Sequence, residues 1–419
     1  MYKLICLVFC AAVTAMACND SQTTVKGSNA ESGAESVKAD GDTLGSPVET
    51  GSPNASYKPA FAGQTRIGRV TTQTPYEAVV ITSDLKQPWG IAVMPDGRFL
   101  ITQKGGTMRI VTAEGKAGSP ITGLPEVNSR GQGGLLGLTL DPSFASNRMV
   151  YWVFSENTQN GTLTSVAKGR LANDEQRIEN ATVIYRATPA YNSNLHYGGR
   201  ILFDKTGNLV VSTGERSDRE TRPQAQSLNS GLGKIIRINT NGQPASGNPF
   251  AGQSNARPEI YSYGHRNVQG LAWHPETGDL WENEFGPRGG DEVNLIQPGK
   301  NYGWPTITYG IEYSGGKVGE AITKQEGLEQ PVYYWDPVVS PSGMTFYNGG
   351  NMPEWKNNLF IAALQKPHLI RLVIKNNKVT GEERLLEKED QRFRDVAVGK
   401  NGMLYAVTDA GRMYRIGKK

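Results

Sequence analysis

At 419 residues the chain is longer than a typical single domain, so its length allows two domains or one large domain built from repeats. Its formal net charge is only +4, with Lys and Arg dispersed among the acids, which excludes the electrostatic footprint of a nucleic-acid-binding protein. All three cysteines, Cys6, Cys10 and Cys18, fall in the first stretch, so the remainder can build no disulfide and no cysteine-based zinc or iron–sulfur site.

That first stretch carries a targeting pattern. Lys3 precedes an apolar run from Leu4 to Met16 that is too short to span a bilayer and has the form of a secretory signal. The run ends in Ala15-Met16-Ala17-Cys18, small residues before a cysteine as in a bacterial lipoprotein cleavage box. Residues 1–18 are therefore read as an export signal, and the chain as exported to the periplasm or cell envelope with a lipid anchor at Cys18. Ordinary signal cleavage is the alternative, because Ala15 stands where such boxes more often carry Leu. Residues 19–67 are rich in Ser, Gly, Ala, Asp and Glu and poor in large apolar side chains, so a flexible linker is expected there. No later apolar run is long enough to cross a membrane.

The folded body is expected over 68–419, where one pattern recurs: a turn containing Asp, Asn or Gly, a short apolar strand, a polar loop and a second strand. It starts at Met94 (MPDGRFLITQ, then TMRIV), Leu140 (LDPSFASNRMVYWVF, then KGRL) and Phe203 (FDKTGNLVVSTGE, then KIIRI). It returns at Trp273 (WHPETGDLWENE, then EVNLI), Phe346 (FYNGGNMPEWKNNLFIAA, then LIRLVI) and Val398 (VGKNGMLYAVTD, then RMYRI). Such a unit cannot hide its own apolar faces, so copies must stack, and four-stranded blades around an axis are the all-β solution. The expected fold is thus all-β, a six-bladed β-propeller whose chain ends meet in one blade and whose long loops carry the binding site.

Polar chemistry concentrates between Tyr261 and Trp304. The stretch holds a cation beside an amide (Arg266, Asn267), a Gly286-Pro287 turn and the adjacent acids Asp291 and Glu292. A guanidinium fork suits carboxylates, while turn carbonyls and carboxylates are the oxygen ligands that a hard cation such as Ca²⁺ prefers. Singly, each has a bland reading as a loop staple, a turn or solvated charge; together they point to an anionic ligand and a cation. Trp281, Trp304 and Trp335 read as packing residues, and His274 and His368 as ordinary loop or packing histidines.

Other loops carry Gln132 in GQGGLLG, His196 in LHYGGRI, Glu215 in STGERSD, and Arg392 and Arg394 in QRFRDV. With GHRNVQGLAW and EFGPRGGDEVNLIQPGKNYGWP in order between them, the chain from about Leu85 to Ile416 resembles the soluble quinoprotein glucose dehydrogenases and aldose sugar dehydrogenases, the glucose/sorbosone dehydrogenase family. The resemblance implies pyrroloquinoline quinone (PQQ) and Ca²⁺ at the propeller mouth and oxidation of an aldose sugar to a lactone. An external electron acceptor, a quinone, cytochrome or dye, is implied with it. It puts the general base on His196, the catalytic and cofactor-holding arginine on Arg266, and further cofactor contacts on Gln132, Asn267, Arg392 and Arg394. Gly286 and Pro287 match carbonyl ligands of the catalytic calcium, Asp291, Glu292 and Tyr302 surround a further structural calcium, and Glu215 matches an acid near the sugar.

The departures concern the substrate side. Leu195 stands where the soluble glucose enzymes place an acid, Val338 near a position where they use Thr, and Gln365 and Lys366 compete for the place of a fifth-blade lysine. The pattern fits the broader aldose dehydrogenase branch. A calcium-dependent lactonase and a non-catalytic carbohydrate- or partner-binding propeller are the alternatives, since fold does not fix function; the lactonase-type site, however, has no use for three arginines.

Overall fold

Short apolar runs separated by Gly, Asn and Asp turns each become a strand, and successive strands pair antiparallel into blades. The computed structural model describes residues 44–419, so the signal, Cys18 and the linker up to residue 43 lie outside the described residues. Blade 1 holds Pro88–Val93, Phe99–Gln103 and Thr107–Val111; blade 2 holds Leu135–Leu140, Met149–Thr158, Gly161–Leu171 and Ile178–Arg186. Blade 3 comprises Gly198–Phe203, Leu209–Thr213, Lys234–Ile238 and Ile260–Tyr263, and blade 4 Val268–Trp273, Leu280–Glu284, Asp291–Ile296 and Tyr333–Trp335. Blade 5 comprises Pro341–Phe346, Leu359–Ala363, His368–Lys375 and Lys378–Leu385. Blade 6 takes Phe393–Val398, Leu404–Thr408 and Met413–Lys418 from the end of the chain, and Tyr76–Thr82 from its beginning adds the outer strand in register from Tyr76–Lys418 to Thr82–Met413.

The first strands of the blades pack side by side into a ring, that of blade 6 against that of blade 1. Blade 1 departs from the four-stranded expectation: single bridges from Ile121 to Met108 and from Ala117 to Val111 occupy its outer edge. Side-chain alternation explains how the blades cohere. Phe99 and Ile101 fill the gap to blade 6 with Tyr405 and Val407, while Leu100 between them packs against Trp152 of blade 2. Likewise Leu404 and Ala406 turn toward Phe360 and Leu369 of blade 5. Each strand thus divides its apolar residues between two neighbours, and only a closed ring buries both faces of every blade. Trp281 and Trp335 lie in the core between blades 4 and 5, as read from the sequence.

A buried ion pair crosses the axis within this ring. Arg200 on the first strand of blade 3 meets Asp395 on the first strand of blade 6 at 2.9 Å, across the diameter. Asp395 also accepts the Ile91 N–H of blade 1 at 2.8 Å, and Arg200 Nε donates to the Gln269 carbonyl of blade 4 at 2.9 Å. The guanidinium lies 4.4 Å from the Trp89 ring.

Residues 44–67 are tied to the propeller, which corrects the linker expected to run to residue 67. Asp336, just before blade 5, accepts the Asn54 N–H at 2.8 Å, the Asn54 side-chain amide at 2.9 Å and the Ala55 N–H at 2.9 Å. Gln64 is fully buried and donates to the Pro331 carbonyl at 2.9 Å, while Arg66 spans the Gly51 and Asp336 carbonyls, each at 2.7 Å. Hydrogen bonds rather than large apolar side chains hold the segment, so composition misses it. Asp336→Ala removes three acceptor contacts, and a loss of about 2 kcal/mol is expected, seen as a lower denaturant midpoint at unchanged slope.

Candidate active site

Loops entering the first strands converge at one end of the axis around a cavity of about 380 Å³. Trp89, Gln132, His196, Pro287, Ser340 and Arg394, one from each blade or its entry loop, all line it. Gly286, Asp291, Arg392 and Gln365 line it as well.

His196 precedes the first strand of blade 3 with φ at +46°, a left-handed conformation that a non-glycine residue holds only when its surroundings fix it. Its N–H donates to Gln132 Oε1 at 2.8 Å, and its carbonyl accepts the Arg216 N–H at 3.3 Å. Gln132 therefore positions the histidine loop in addition to facing the cavity. The ring Nδ1 is hydrogen-bonded to the Glu215 carboxylate, which also accepts the Ser217 N–H at 2.9 Å. With Nδ1–H donating to a carboxylate, Nε2 is the nitrogen that keeps a lone pair. Burial pushes the imidazole pKa down to about 4, the Arg266 charge adds to this, and Glu215 opposes both. His196 is thus a neutral base at ordinary pH. Glu215, expected beside the sugar, is instead fully buried behind the histidine.

The cations group differently from their order in sequence. Arg394 grips Asp409 through two nitrogens, at 2.9 and 3.1 Å, and Arg392 shares the same carboxylate at 2.9 Å. Arg266 lies behind the Gly286-Pro287 turn, 3 % exposed, donating to the Phe285 and Gly286 carbonyls at 3.1 and 2.8 Å, with its guanidinium 5.1 Å from the Trp304 ring. Its Nε has no hydrogen-bond partner among the described residues. Asn267, fully buried, ties blade 3 to blade 4 by accepting the Gly198 N–H at 3.0 Å and brings its amide within 3.5 Å of Gln132.

The three residues expected around one structural calcium are split. Asp291 turns to the cavity floor and accepts the N–H groups of Gly286, Val339 and Ser340 at 2.8, 2.8 and 2.6 Å. Glu292, one residue on, faces the opposite way because strand side chains alternate. Cross-strand pairing puts it beside Glu284, and Asn294 beside Glu282, on the face toward blade 3. Tyr302 stacks on His265 at 4.8 Å from the same side and donates its hydroxyl to the Leu295 carbonyl at 2.7 Å. Ligand atoms of His265, Glu282 and Glu284 lie within 4.8 Å of one another, and Glu282 Oε2 and Asn294 Oδ1 are buried without a partner among the described residues. Burial, then the Glu284 charge, raises the Glu282 and Glu292 carboxyls well above the usual range. A divalent cation on this face would relieve both the burial and the like-charge repulsion.

Sequence reading missed Glu282 and Glu284 on this face and Lys104, Asp409 and Tyr313, which line the cavity. The spacing E-x-E in a strand was a usable signal for the first two, since residues two apart share a face. Asp409 sits in a turn whose partner arginines lie fifteen and seventeen residues earlier, a pairing made only by the blade. Of the two fifth-blade candidates, Gln365 faces the cavity, whereas Lys366 is drawn away to Glu49 at 3.0 Å. His274 packs on Phe346, in line with its bland reading.

The fold and site together define a six-bladed propeller whose axial cavity joins a carboxylate-held histidine to a wall of arginines. Residues 85–415 match the family described as Glucose / Sorbosone dehydrogenase. Over 333 residues the chain is 43% identical to aldose sugar dehydrogenase YliI of Escherichia coli (strain K12), covering 79% of this chain and 89% of that protein. The crystal structure of the soluble aldose sugar dehydrogenase from Escherichia coli in the apo-form aligns with a TM-score of 0.79 and 40% identity, covering 82% of this chain and 100% of that one. The PQQ-bound form of aldose sugar dehydrogenase from Streptomyces coelicolor aligns with a TM-score of 0.68 and 30% identity, over 83% and 99% of the two chains. The chain belongs to the glucose/sorbosone dehydrogenase family.

Proposed function

We propose that this protein oxidises aldose sugars at the anomeric carbon to lactones, with PQQ and Ca²⁺ as cofactors, and hands the electrons to an external acceptor. The observation that carries this reading is the neutral His196, locked by Glu215 and Gln132, opening onto a cavity whose wall carries two fork-shaped cations. The PQQ-bound relative supports the same choice of cofactor.

The residues fit both groups. Arg392 and Arg394, held by Asp409, line the cavity with positive charge suited to ligand carboxylates, and Arg266 brings a third guanidinium behind the turn with an unpartnered Nε. Gly286 and Pro287 bring turn carbonyls to the cavity wall, the oxygen donors suited to Ca²⁺. When bound, PQQ supplies the two-electron acceptor, and Ca²⁺ the Lewis acid that polarises it. His196 Nε2 takes the proton of the anomeric hydroxyl, and Glu215 holds the ring in the tautomer that can do so and stabilises the imidazolium that results. Gln132 fixes the strained backbone that aims the ring. A second cation on the Glu282, Glu284 and Glu292 face would brace the Arg266 loop, since Glu284 accepts the Arg266 and Asn267 N–H groups at 2.5 and 3.0 Å.

The test uses protein lacking residues 1–18, incubated with PQQ and Ca²⁺ and assayed for aldose-dependent reduction of a dye. Activity that requires both additions and vanishes with chelator is expected. A folded protein that reduces no dye with any aldose sinks the reading, and lactone hydrolysis becomes the next assay. We also propose export and lipid attachment at Cys18; labelling with a radioactive fatty acid, abolished by Cys18→Ser, is the expected result.

A further inference from the structure

Lys104, which follows the blade 1 strand Phe99–Gln103, lines the cavity. Its ammonium donates to the Gly131 carbonyl at 2.7 Å, in the loop that carries Gln132. An ammonium has three N–H groups, so this contact leaves two uncommitted. Among the described residues Lys104 forms no ion pair, and the acid whose charge reaches it, Asp409, is already held by Arg392 and Arg394. This part of the wall therefore sets three cations against one carboxylate. The protein tolerates an unfavourable arrangement here: burial, then repulsion from Arg394, lowers the Lys104 pKa. Blade 5 adds no cation, because Gln365 faces the cavity and Lys366 pairs with Glu49.

We propose that Lys104 is a ligand-anchoring residue, its ammonium closing with Arg392 and Arg394 on a carboxylate of the bound cofactor. The assignment rests on the PQQ reading above and deepens it, moving a positive contact from blade 5 to blade 1. A compact ammonium on a flexible stem adapts to a single carboxylate oxygen, whereas the two guanidiniums are already fixed by Asp409. The surplus charge is then neutralised only when the multi-carboxylate ligand is present.

The experiment titrates PQQ, in the presence of Ca²⁺, into the mature-length apoprotein and into the K104M and K104R variants, following quenching of tryptophan fluorescence. Melting of each apoprotein is recorded alongside. K104M is expected to bind PQQ roughly tenfold or more weakly, the loss of a charge-assisted contact. K104R should stay within about threefold of wild type, since the charge is kept. The K104M apoprotein should melt at or above the wild-type temperature, because a repelled cation has been removed. Unchanged PQQ affinity in K104M overturns the assignment while leaving the functional reading intact. So does weaker binding that comes with a lower apoprotein melting temperature and is not restored in K104R, which marks Lys104 as a support for the Gly131 loop. Wild-type protein that binds no PQQ overturns the functional reading and this assignment together.

Discussion

Replacing His196 by Gln should lower turnover about 10²- to 10⁴-fold while leaving PQQ affinity and thermal stability near wild type. His196 is 4 % exposed, and its backbone is held through its own N–H and carbonyl, so glutamine can occupy the site without releasing the loop. What it loses is a basic nitrogen next to the anomeric hydroxyl. Steady-state kinetics with saturating cofactor measure the effect, and unchanged turnover removes the assigned role. Glu215→Gln separates positioning from proton transfer. Removing the carboxylate takes away the group that raises the histidine pKa against burial and Arg266, so the acidic limb of the pH–rate profile should move to lower pH than in the wild type. Turnover should fall with it, because the tautomer is no longer fixed. Stability follows the sign of the same shift. The folded pKa of His196 lies below the unfolded value of about 6.5, so the unfolded chain binds the extra proton first. Its contribution is whole above the unfolded pKa and is lost as pH falls toward 4.

Asp395→Asn or Arg200→Met should each destabilise the protein by about 3–5 kcal/mol, because removing one partner strands the other charge in the interior. Asp395 is 4 % exposed and Arg200 8 %. The pair is more than a local contact: through Ile91, Gln269 and the Trp89 ring it joins blades 3 and 6 to blades 1 and 4. Blade 5 backs onto it through Gly343, where a Cβ would come within 1.7 Å of Asp395 Oδ1. Gly343→Ala should therefore destabilise as well, although its backbone has no unusual conformation. Equilibrium denaturation of the single and double variants tests the coupling. The Arg200→Met, Asp395→Asn double variant is expected to lose clearly less than the sum of its singles; strict additivity would show that the two charges do not act as a pair.

How far the site could be read ahead of the fold differs from residue to residue. Gln132, His196, Arg392 and Arg394 lie at the cavity together, as the family resemblance of their motifs implied. The resemblance grouped Asp291, Glu292 and Tyr302 around one calcium, yet the two acids are adjacent in a strand, and adjacency there separates them onto opposite faces. Glu215 was given to the sugar, yet the turn that closes the second strand of blade 3 folds it behind His196. The segment from 44 to 67 looked unstructured because its stabilisation is polar and distant, Asn54 reaching Asp336 and Gln64 reaching Pro331.

The sequence by itself determined the all-β architecture, the number of blades and the closure of the ring, because strand length, turn residues and apolar alternation are local properties that repeat along the chain. It also singled out the loops carrying Gln132, His196, Arg266 and Arg392 as the place to look for chemistry, through motifs that stand outside the strand repeat. The tertiary structure alone decided which side chains meet across the axis. Arg200 finds Asp395 across the ring and Lys104 faces the cavity without an ion-pair partner among the described residues, because both depend on where blades stand in a closed ring, and pairing across that ring leaves no mark on neighbouring residues; Arg394 finds Asp409 within blade 6, through strand pairing.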